Sequence, residues 1–130
     1  MPAVAYRPEW HIPAHLVGSA ATTLHRGRRM SDNVDYYRQF ADEFFRTTVA
    51  VDMTAIRQRF LARIPAGARI LDAGCGSGRD AKAFAELGFE VTAFDATPEL
   101  AALATEHCGF PVDVRRFEDV AETAAYDGIW

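Results

Sequence analysis

The chain has little cysteine, no long apolar run and no excess of positive charge, and each shortage excludes a class of protein. Its 130 residues include two cysteines, Cys75 and Cys108, which form neither a disulfide framework nor a metal-ligand pattern. The four histidines share no spacing, so we predict no metal site. No apolar stretch approaches the ~18 residues of a membrane span, and the N-terminus lacks the apolar centre of a secretory signal. We therefore expect a cytoplasmic protein with reduced thiols and no membrane partner.

The charge is unevenly distributed along the chain. The net charge of −4 gives no electrostatic reason to expect nucleic acid as a partner. Residues 1–30 carry four Arg and one Glu, whereas residues 31–130 carry ten basic and 17 acidic residues. Because residues 1–30 show no helical or strand period, we expect a disordered N-terminal extension rather than an organelle-targeting leader. At 130 residues the chain fits one domain with a modest core.

Two helices are predicted before the first strand. Apolar residues at i, i+3, i+4 and i+7 predict a helix over residues 32–47, capped by Ser31 or Asp32. Its apolar stripe is expected mainly to pack in the core, and it consists of Val34, Tyr37, Phe40, Ala41, Phe44 and Phe45. Asp52 is predicted to cap a second helix over residues 53–62, with Ile56, Phe60 and Leu61 facing inward.

From residue 69 the pattern alternates between strand and helix. Strands are predicted over residues 69–73, 90–94, 111–117 and 126–130, and helices over residues 79–87 and 98–107. Gly88 is a natural terminator for the first of these helices. Thr97-Pro98-Glu99 supplies a cap, a first-turn proline and a first-turn acid for the second. Because the connections are short, the pattern predicts an α/β fold with a doubly wound parallel sheet.

A glycine-rich turn follows the first strand and predicts a nucleoside site. Asp72 precedes Gly74, Gly76 and Gly78, and Asp95 closes the next strand about twenty residues later. Glycines let the backbone approach a ligand closely, and an acid at the end of the second strand can bind a ribose. A dinucleotide fingerprint would place the third glycine at position 79, which is Arg79. The spacing therefore disfavours a nicotinamide-dependent oxidoreductase.

The run Leu71-Asp72-Ala73-Gly74-Cys75-Gly76-Ser77-Gly78-Arg79-Asp80 resembles the first motif of class I S-adenosylmethionine-dependent methyltransferases. Phe94-Asp95-Ala96-Thr97-Pro98-Glu99 is similar to their second motif, and the aromatic helix upstream and Tyr126–Trp130 also match the family. The chain most resembles small bacterial methyltransferases of the tellurite-resistance type, over roughly residues 32–130. The resemblance implies a Rossmann-like doubly wound sheet, S-adenosylmethionine as cofactor and a small-molecule methyl acceptor.

The resemblance and the chemistry of this cofactor assign roles to the motif residues. The three glycines, with Cys75 inside their turn, would admit the methionine head, whose carboxylate suits the N-terminus of the following helix. Asp72 is placed to attract the ammonium group. Asp95 can accept hydrogen bonds from both ribose hydroxyls, and Ala96 leaves room beside the sugar.

Other roles follow from the resemblance alone or are left open. Glu118, or Phe117 and Asp119 beside it, is the candidate for contact with adenine, and Tyr37 would belong to a lid over the cofactor. Arg79 and Asp80 are expected to form a solvated first helical turn. Because the cofactor carries an activated methyl group, no catalytic side chain is required in these motifs, and none is assigned.

The resemblance also implies a longer sheet than these 130 residues provide. Class I methyltransferases have strands ordered 3-2-1-4-5-7-6, and this chain accounts for 3-2-1-4. Residues 31–130 would then be the N-terminal, cofactor-binding part of a methyltransferase domain. We expect a truncated gene product or fragment, with an apolar edge at strand four that could support self-association. A methyltransferase is the first hypothesis for its function. The alternative is a non-catalytic remnant that binds the cofactor or a partner chain through that edge, and an oxidoreductase is the least favoured.

Overall fold

The computed structural model describes the backbone of residues 30–130 and the side chains of residues 35–130. The expectation for residues 1–30 therefore lies almost wholly outside the described part of the chain. The helices are α1 (Met30–Gln39), α2 (Ala41–Thr48), α3 (Thr54–Leu61), α4 (Arg79–Glu86) and α5 (Pro98–Cys108). The strands are β1 (Arg69–Ala73), β2 (Glu90–Asp95), β3 (Asp113–Val114) and β4 (Gly128–Ile129), with a 3₁₀ turn at Phe117–Asp119. None of the helices within residues 30–130 has the length and apolar character needed to cross a membrane.

The four strands form one parallel sheet in the order β3-β2-β1-β4. The longest pairing joins β1 to β2, from Arg69 opposite Glu90 to Ala73 opposite Phe94. This order confirms the predicted α/β fold with a parallel sheet. Because parallel strands end at the same edge, the residues that follow β1 and β2 lie side by side there. That edge positions the glycine turn and Asp95 together.

The core of the domain combines the central strands with the faces of α4 and α5. Ile70 and Leu71 in β1 and Phe94 in β2 are almost fully buried. A cluster of small side chains lets α4 and α5 pack closely on β2, and its members are Ala81, Ala93, Ala101, Ala104 and Val112. Small residues at these positions bring the start of α4 near the end of α5, which matters for the glycine turn.

The predicted aromatic helix is two helices that meet at Phe40. Phe40 has φ −115° and ψ 17°, outside the helical region, although its N–H still donates to the Tyr36 carbonyl at 3.1 Å. The expectation of a buried stripe is wrong for most of its described members, since only Ala41 is buried. Tyr37 is 36% exposed because it faces an open cavity rather than the core, and Phe40 is 37% exposed.

Several element ends differ from the predicted ones. α1 begins at Met30, before the two predicted caps. Asp52 accepts a hydrogen bond from the Thr54 N–H at 2.9 Å, but Met53 rather than Asp52 occupies the cap position of α3. Ile56, predicted to face inward, is 52% exposed. β3 has only two residues instead of seven. β4 is also short, but the Trp130 N–H donates to the Leu71 carbonyl at 2.8 Å and extends its pairing.

Candidate functional site

The glycine turn joins β1 to α4 and has a backbone that only glycine adopts readily. Gly74, Gly76 and Gly78 have φ values of 75°, 57° and 74°, which are strained for residues with a Cβ. The N–H groups of Gly74 and Cys75 both donate to the Phe94 carbonyl at 2.9 Å. The turn is therefore fastened to the end of the neighbouring strand.

Asp95 organises this edge of the sheet through both carboxylate oxygens. Its Oδ2 accepts a hydrogen bond from the Gly76 N–H at 3.0 Å, and its Oδ1 accepts one from the Thr97 N–H at 2.8 Å. Asp95 is 8% exposed. Each oxygen keeps a further lone pair, so the carboxylate can still accept a hydroxyl. Thr97 occupies the cap position of α5 as predicted, but its side chain makes no cap hydrogen bond, and Asp95 binds the Thr97 backbone instead.

Two adjoining cavities flank the turn and share part of their walls. The first has a volume of about 310 Å³ and is lined by Tyr37, Phe44, Gly74, Gly76, Asp95, Ala96, Thr97, Leu100, Arg116 and Phe117. The second has a volume of about 320 Å³ and is lined by Phe44, Thr48, Asp72, Ala73, Gly74, Cys75, Gly76, Ser77, Arg79, Asp80 and Trp130. Both volumes suit a small molecule.

Two aromatic rings lie directly against the glycine turn. A Cβ built on Gly74 would lie 3.1 Å from Phe117 Cζ, and one built on Gly76 would lie 3.0 Å from Phe44 Cε1. Phe117 also packs edge-on against Phe94, with ring centroids 5.6 Å apart. Glycine is thus required here by space as well as by backbone conformation. The rings form apolar walls over a turn whose backbone remains accessible at Gly74.

Asp72 is a buried acid at the second cavity. It is 3% exposed, and its Oδ2 has no hydrogen-bond partner among the described residues. Burial, reinforced by the nearby Asp80 carboxylate, raises the pKa of Asp72 to about 7. The Ala81 backbone N–H and Arg79 act in the opposite direction but do not cancel this effect. A buried carboxylate with an unused oxygen is suited to bind a cation.

Asp80 forms an ionic cluster that the sequence did not indicate. The expectation of a solvated helical turn is wrong for Asp80, which is 6% exposed. Arg57 and Arg79 each donate to its carboxylate at 2.7 Å, and the Trp130 indole N–H donates to Oδ2 at 3.2 Å. Burial opposes ionisation, yet the hydrogen bonds from Arg79 and Arg57 hold the pKa of Asp80 below its usual value. Arg57 and Asp80 are 23 residues apart, so no local sequence pattern predicts this ion pair.

The structure brings most of the predicted site residues together. Those on one or both cavities are Tyr37, Asp72, Gly74, Cys75, Gly76, Asp95 and Ala96. Gly78 lies beneath the turn and packs against Cys108 and Ala104. Glu118 is not among the lining residues of either cavity, and its side chain is 52% exposed beside Arg116. Phe117, named beside Glu118 as an alternative, does line the first cavity.

Sequence reasoning missed other lining residues for a physical reason. Phe44 was assigned to the core, although it follows Tyr37 by seven residues and so belongs to the same helix face. Arg116 and Trp130 reach the cavities from chain segments beyond β3 and β4. Their positions depend on sheet order and loop path, which no local pattern encodes.

The two cysteines are free thiols with suppressed ionisation. Burial raises the pKa of Cys75 far above its ordinary value and that of Cys108 to about 11. Cys108 Sγ donates to the Gly78 carbonyl at 3.3 Å, so this thiol packs under the turn. Within residues 35–130, no group of three His, Cys, Asp or Glu side chains is placed to hold a metal ion. These thiols therefore behave as small packing groups.

A parallel sheet with a glycine turn after β1 and a buried acid at the end of β2 is an arrangement typical of α/β nucleoside-binding domains. The methyltransferase domain family matches residues 45–129, and the chain belongs to that family. The expectation of a class I methyltransferase is thereby confirmed. The finer resemblance to the tellurite-resistance type stays a prediction.

Known relatives match about half of the chain. Ubiquinone biosynthesis O-methyltransferase from Xanthomonas axonopodis pv. citri is 43% identical over 72 residues, which are 50% of this chain and 30% of the relative. The corresponding enzyme from Methylocella silvestris is 40% identical over 79 residues, 56% of this chain and 31% of the relative. The chain thus spans less than a third of the length of these relatives.

Two solved structures share the fold. Burkholderia thailandensis 1,6-didemethyltoxoflavin-N1-methyltransferase, with bound 1,6-didemethyltoxoflavin and S-adenosylhomocysteine, is 32% identical with a TM-score of 0.53. The match covers 76% of this chain and 44% of that one. The sugar N-methyltransferase KedS8 from Streptoalloteichus sp. is 19% identical with a TM-score of 0.51, covers 87% of this chain and 43% of that one, and supports the fold alone.

Proposed function

We propose that this chain binds S-adenosylmethionine and takes part in methyl transfer to a small-molecule acceptor. The observation that carries the proposal is the meeting of Asp95 and the glycine turn on one cavity of about 310 Å³. Asp72, with its unpartnered buried oxygen on the adjoining cavity, fits a ligand that carries an ammonium group. When bound, the cofactor supplies a methyl group already activated by its sulfonium. The relatives described above are methyltransferases, which favours this class over an oxidoreductase.

The residues of the chain would then bind and orient the ligand. Asp95 accepts from the ribose hydroxyls, Asp72 pairs with the ammonium group, and the glycine turn leaves space for close backbone approach. Phe44 and Phe117 would form apolar walls beside the ligand. Phe117 and Arg116 are better placed than Glu118 to line the adenine end, because both face the first cavity. No side chain is assigned as acid, base or nucleophile.

Replacing Asp95 with asparagine tests this proposal. Asp95 accepts from the N–H groups of Gly76 and Thr97. Asparagine keeps one acceptor oxygen, but its amide nitrogen is a donor and would face one of these two N–H groups. The neutral amide would also weaken the charge-assisted contact with a ribose hydroxyl. Affinity for S-adenosylhomocysteine should fall by about 1–3 kcal/mol in calorimetric titration. Asp113→Asn is the matched control, because Asp113 is exposed at the start of β3 and outside both cavities. Absence of binding by the folded unmodified chain would reject the cofactor, and equal affinities for both variants would reject Asp95 as the ribose acid.

We also propose that copies of this chain self-associate through β4. This strand pairs with β1 on one side, and within residues 30–130 no strand pairs with its other side. Ile129 in β4 is 65% exposed, so pairing between copies would cover an apolar side chain. Sedimentation of the chain and of an Ile129→Lys variant should give a dimer and a monomer, respectively. A monomer at every concentration of the unmodified chain would reject the idea, and turnover by a monomer would favour an enzyme over a non-catalytic binding protein.

A further inference from the structure

One member of the Asp80 cluster, Arg79, also contacts a second helix, α2. Arg79 contacts Asp80 with Nε at 3.3 Å and Nη2 at 2.7 Å, so two of its three guanidinium nitrogens face the carboxylate. Its remaining nitrogen, Nη1, donates to the Thr48 carbonyl at 3.0 Å. Arg57 anchors the same carboxylate from α3. The buried acid thus fixes a guanidinium that reaches a different helix.

The Thr48 carbonyl belongs to the last residue of α2 and also accepts a hydrogen bond from the Val51 N–H at 3.2 Å. Carbonyls in the final turn of a helix lack partners within the helix, and a positive charge at that end is favourable. The Thr48 hydroxyl donates to the Phe44 carbonyl at 2.7 Å, one turn earlier. The contact with Arg79 therefore holds the same turn of α2 that carries Phe44.

Like Thr48, which lines the second cavity, Phe44 is a residue of α2 that reaches the site. Its ring lies against Gly76, and it is a wall of both cavities. Two other contacts join α1 and α2 to α5. Phe45 in α2 packs edge-on against His107, and Arg38 in α1 pairs with Glu99 at 3.2 Å. Of these three attachments, only the one from Arg79 starts at the glycine turn itself, because α4 begins directly after Gly78.

We propose that Asp80 is a positioning residue which, through Arg79, holds α2 and its Phe44 ring over the glycine turn and so retains a bound cofactor. We call the chain of contacts from Asp80 through Arg79 to the Thr48 carbonyl the latch. The latch is present in the free protein, and its effect on the cofactor rests on the proposed function. Asp80 acts indirectly: it fixes Arg79, Arg79 fixes the end of α2, and α2 closes the wall of the cavities. Loss of the latch should open that wall and speed release of the ligand.

The first experiment measures ligand release. Arg79→Gln removes the contact with Thr48 and leaves the ion pair between Arg57 and Asp80 intact, so the variant should fold. In a Trp10→Phe background Trp130 is the remaining tryptophan, and its fluorescence reports the site in stopped-flow mixing with S-adenosylhomocysteine. The dissociation rate should rise about tenfold, with an association rate changed less than about threefold. Asp127→Asn, which breaks an ion pair with Arg69 at the other end of β1, should leave both rates unchanged.

The second experiment asks whether Asp80 acts through α2. In a double-mutant cycle, Asp80→Asn should speed release in the unmodified chain but change it less than about twofold once Phe44→Ala has removed the ring. Independent, multiplicative effects of the two substitutions would overturn the proposal.

Hydrogen exchange tests the latch without any ligand. In Arg79→Gln the amide groups of α2 should exchange about tenfold faster than in the unmodified chain, while those of the core residues in β1 keep their protection. Unchanged exchange in α2 would overturn the latch. A chain that fails to bind S-adenosylhomocysteine but shows this change in α2 would reject the proposed function and leave the contact between Arg79 and α2 standing.

Discussion

Gly78→Ala is expected to lower the free energy of unfolding by about 2–5 kcal/mol, because two costs add at this position. The first is conformational: Gly78 has φ 74°, where a Cβ clashes with the backbone. The second is steric: the new Cβ would lie 2.6 Å from Cys108 Sγ and 3.1 Å from Ala104 Cβ. Neither atom belongs to a long flexible side chain, so α4 and α5 would have to separate. Urea denaturation at constant temperature measures the loss.

Gly88→Ala is the matched control for this experiment. Gly88 has φ 89°, but a Cβ there would meet no atom within 4 Å, so only the conformational cost of about 1–2 kcal/mol remains. Adding Cys108→Ala to Gly78→Ala should restore about 1 kcal/mol by removing the closest contact. Equal losses at the two glycines, with no relief from Cys108→Ala, would show that crowding under the turn is unimportant.

Asp72→Asn is expected to stabilise the ligand-free protein at alkaline pH and to weaken cofactor binding. The folded pKa of about 7 lies above the ordinary value of 3.8, so the folded state binds more protons between these limits. The free energy of unfolding contributed by this group therefore falls as pH rises from about 4 to about 7. An asparagine side chain does not titrate, so its contribution to the free energy of unfolding does not change with pH. At pH 8 the variant should therefore be more stable than the unmodified chain by about 2–4 kcal/mol. At pH 4 the two proteins should differ little.

Urea denaturation at pH 4, 6 and 8 measures this difference, and calorimetry at pH 8 measures the affinity for S-adenosylhomocysteine. Removing the charge that would pair with the ammonium group should reduce affinity by about 1–3 kcal/mol, even though the protein is more stable. Gain of stability with loss of binding distinguishes a ligand-binding acid from a structural one. Asp113→Asn, in an exposed position, should show neither effect. A stability difference that is independent of pH would contradict the raised pKa of Asp72.

The sequence predicted the central part of the fold well, because that part follows local rules. β1 was predicted at its observed limits, and α4, β2 and α5 within one or two residues. Buried apolar runs, a terminating glycine and the Thr97-Pro98-Glu99 start are signals that neighbouring residues carry. The weakest predictions were β3 and β4, where only two residues each adopt strand structure. Strands at the margins of a sheet depend on pairing partners rather than on their own composition.

The site residues that belong to short sequence motifs were predicted, and those whose position depends on tertiary packing were not. The glycines, Asp72, Asp95 and Ala96 come from two short segments, and the parallel sheet places the ends of these segments together. Tyr37 and Phe44 could be predicted to share a helix face, but hydrophobic periodicity cannot distinguish a face on a core from one on a cavity. For Glu118 the family resemblance indicated the right segment but the wrong side chain. In the loop after β3, Phe117 lines the first cavity and Glu118 does not.

The sequence by itself determined the order of strands and helices, the glycine turn and the acid at the end of the second strand. These features depend on local backbone preference and on periodic burial, which are written in consecutive residues. Only the tertiary structure decided that Asp80 is buried between Arg57 and Arg79, that Cys108 lies beneath Gly78, and that Asp72 keeps an unpaired oxygen. Such contacts join residues far apart in the chain, and their energies arise from desolvation and close packing, which depend on what surrounds a side chain rather than on what precedes it.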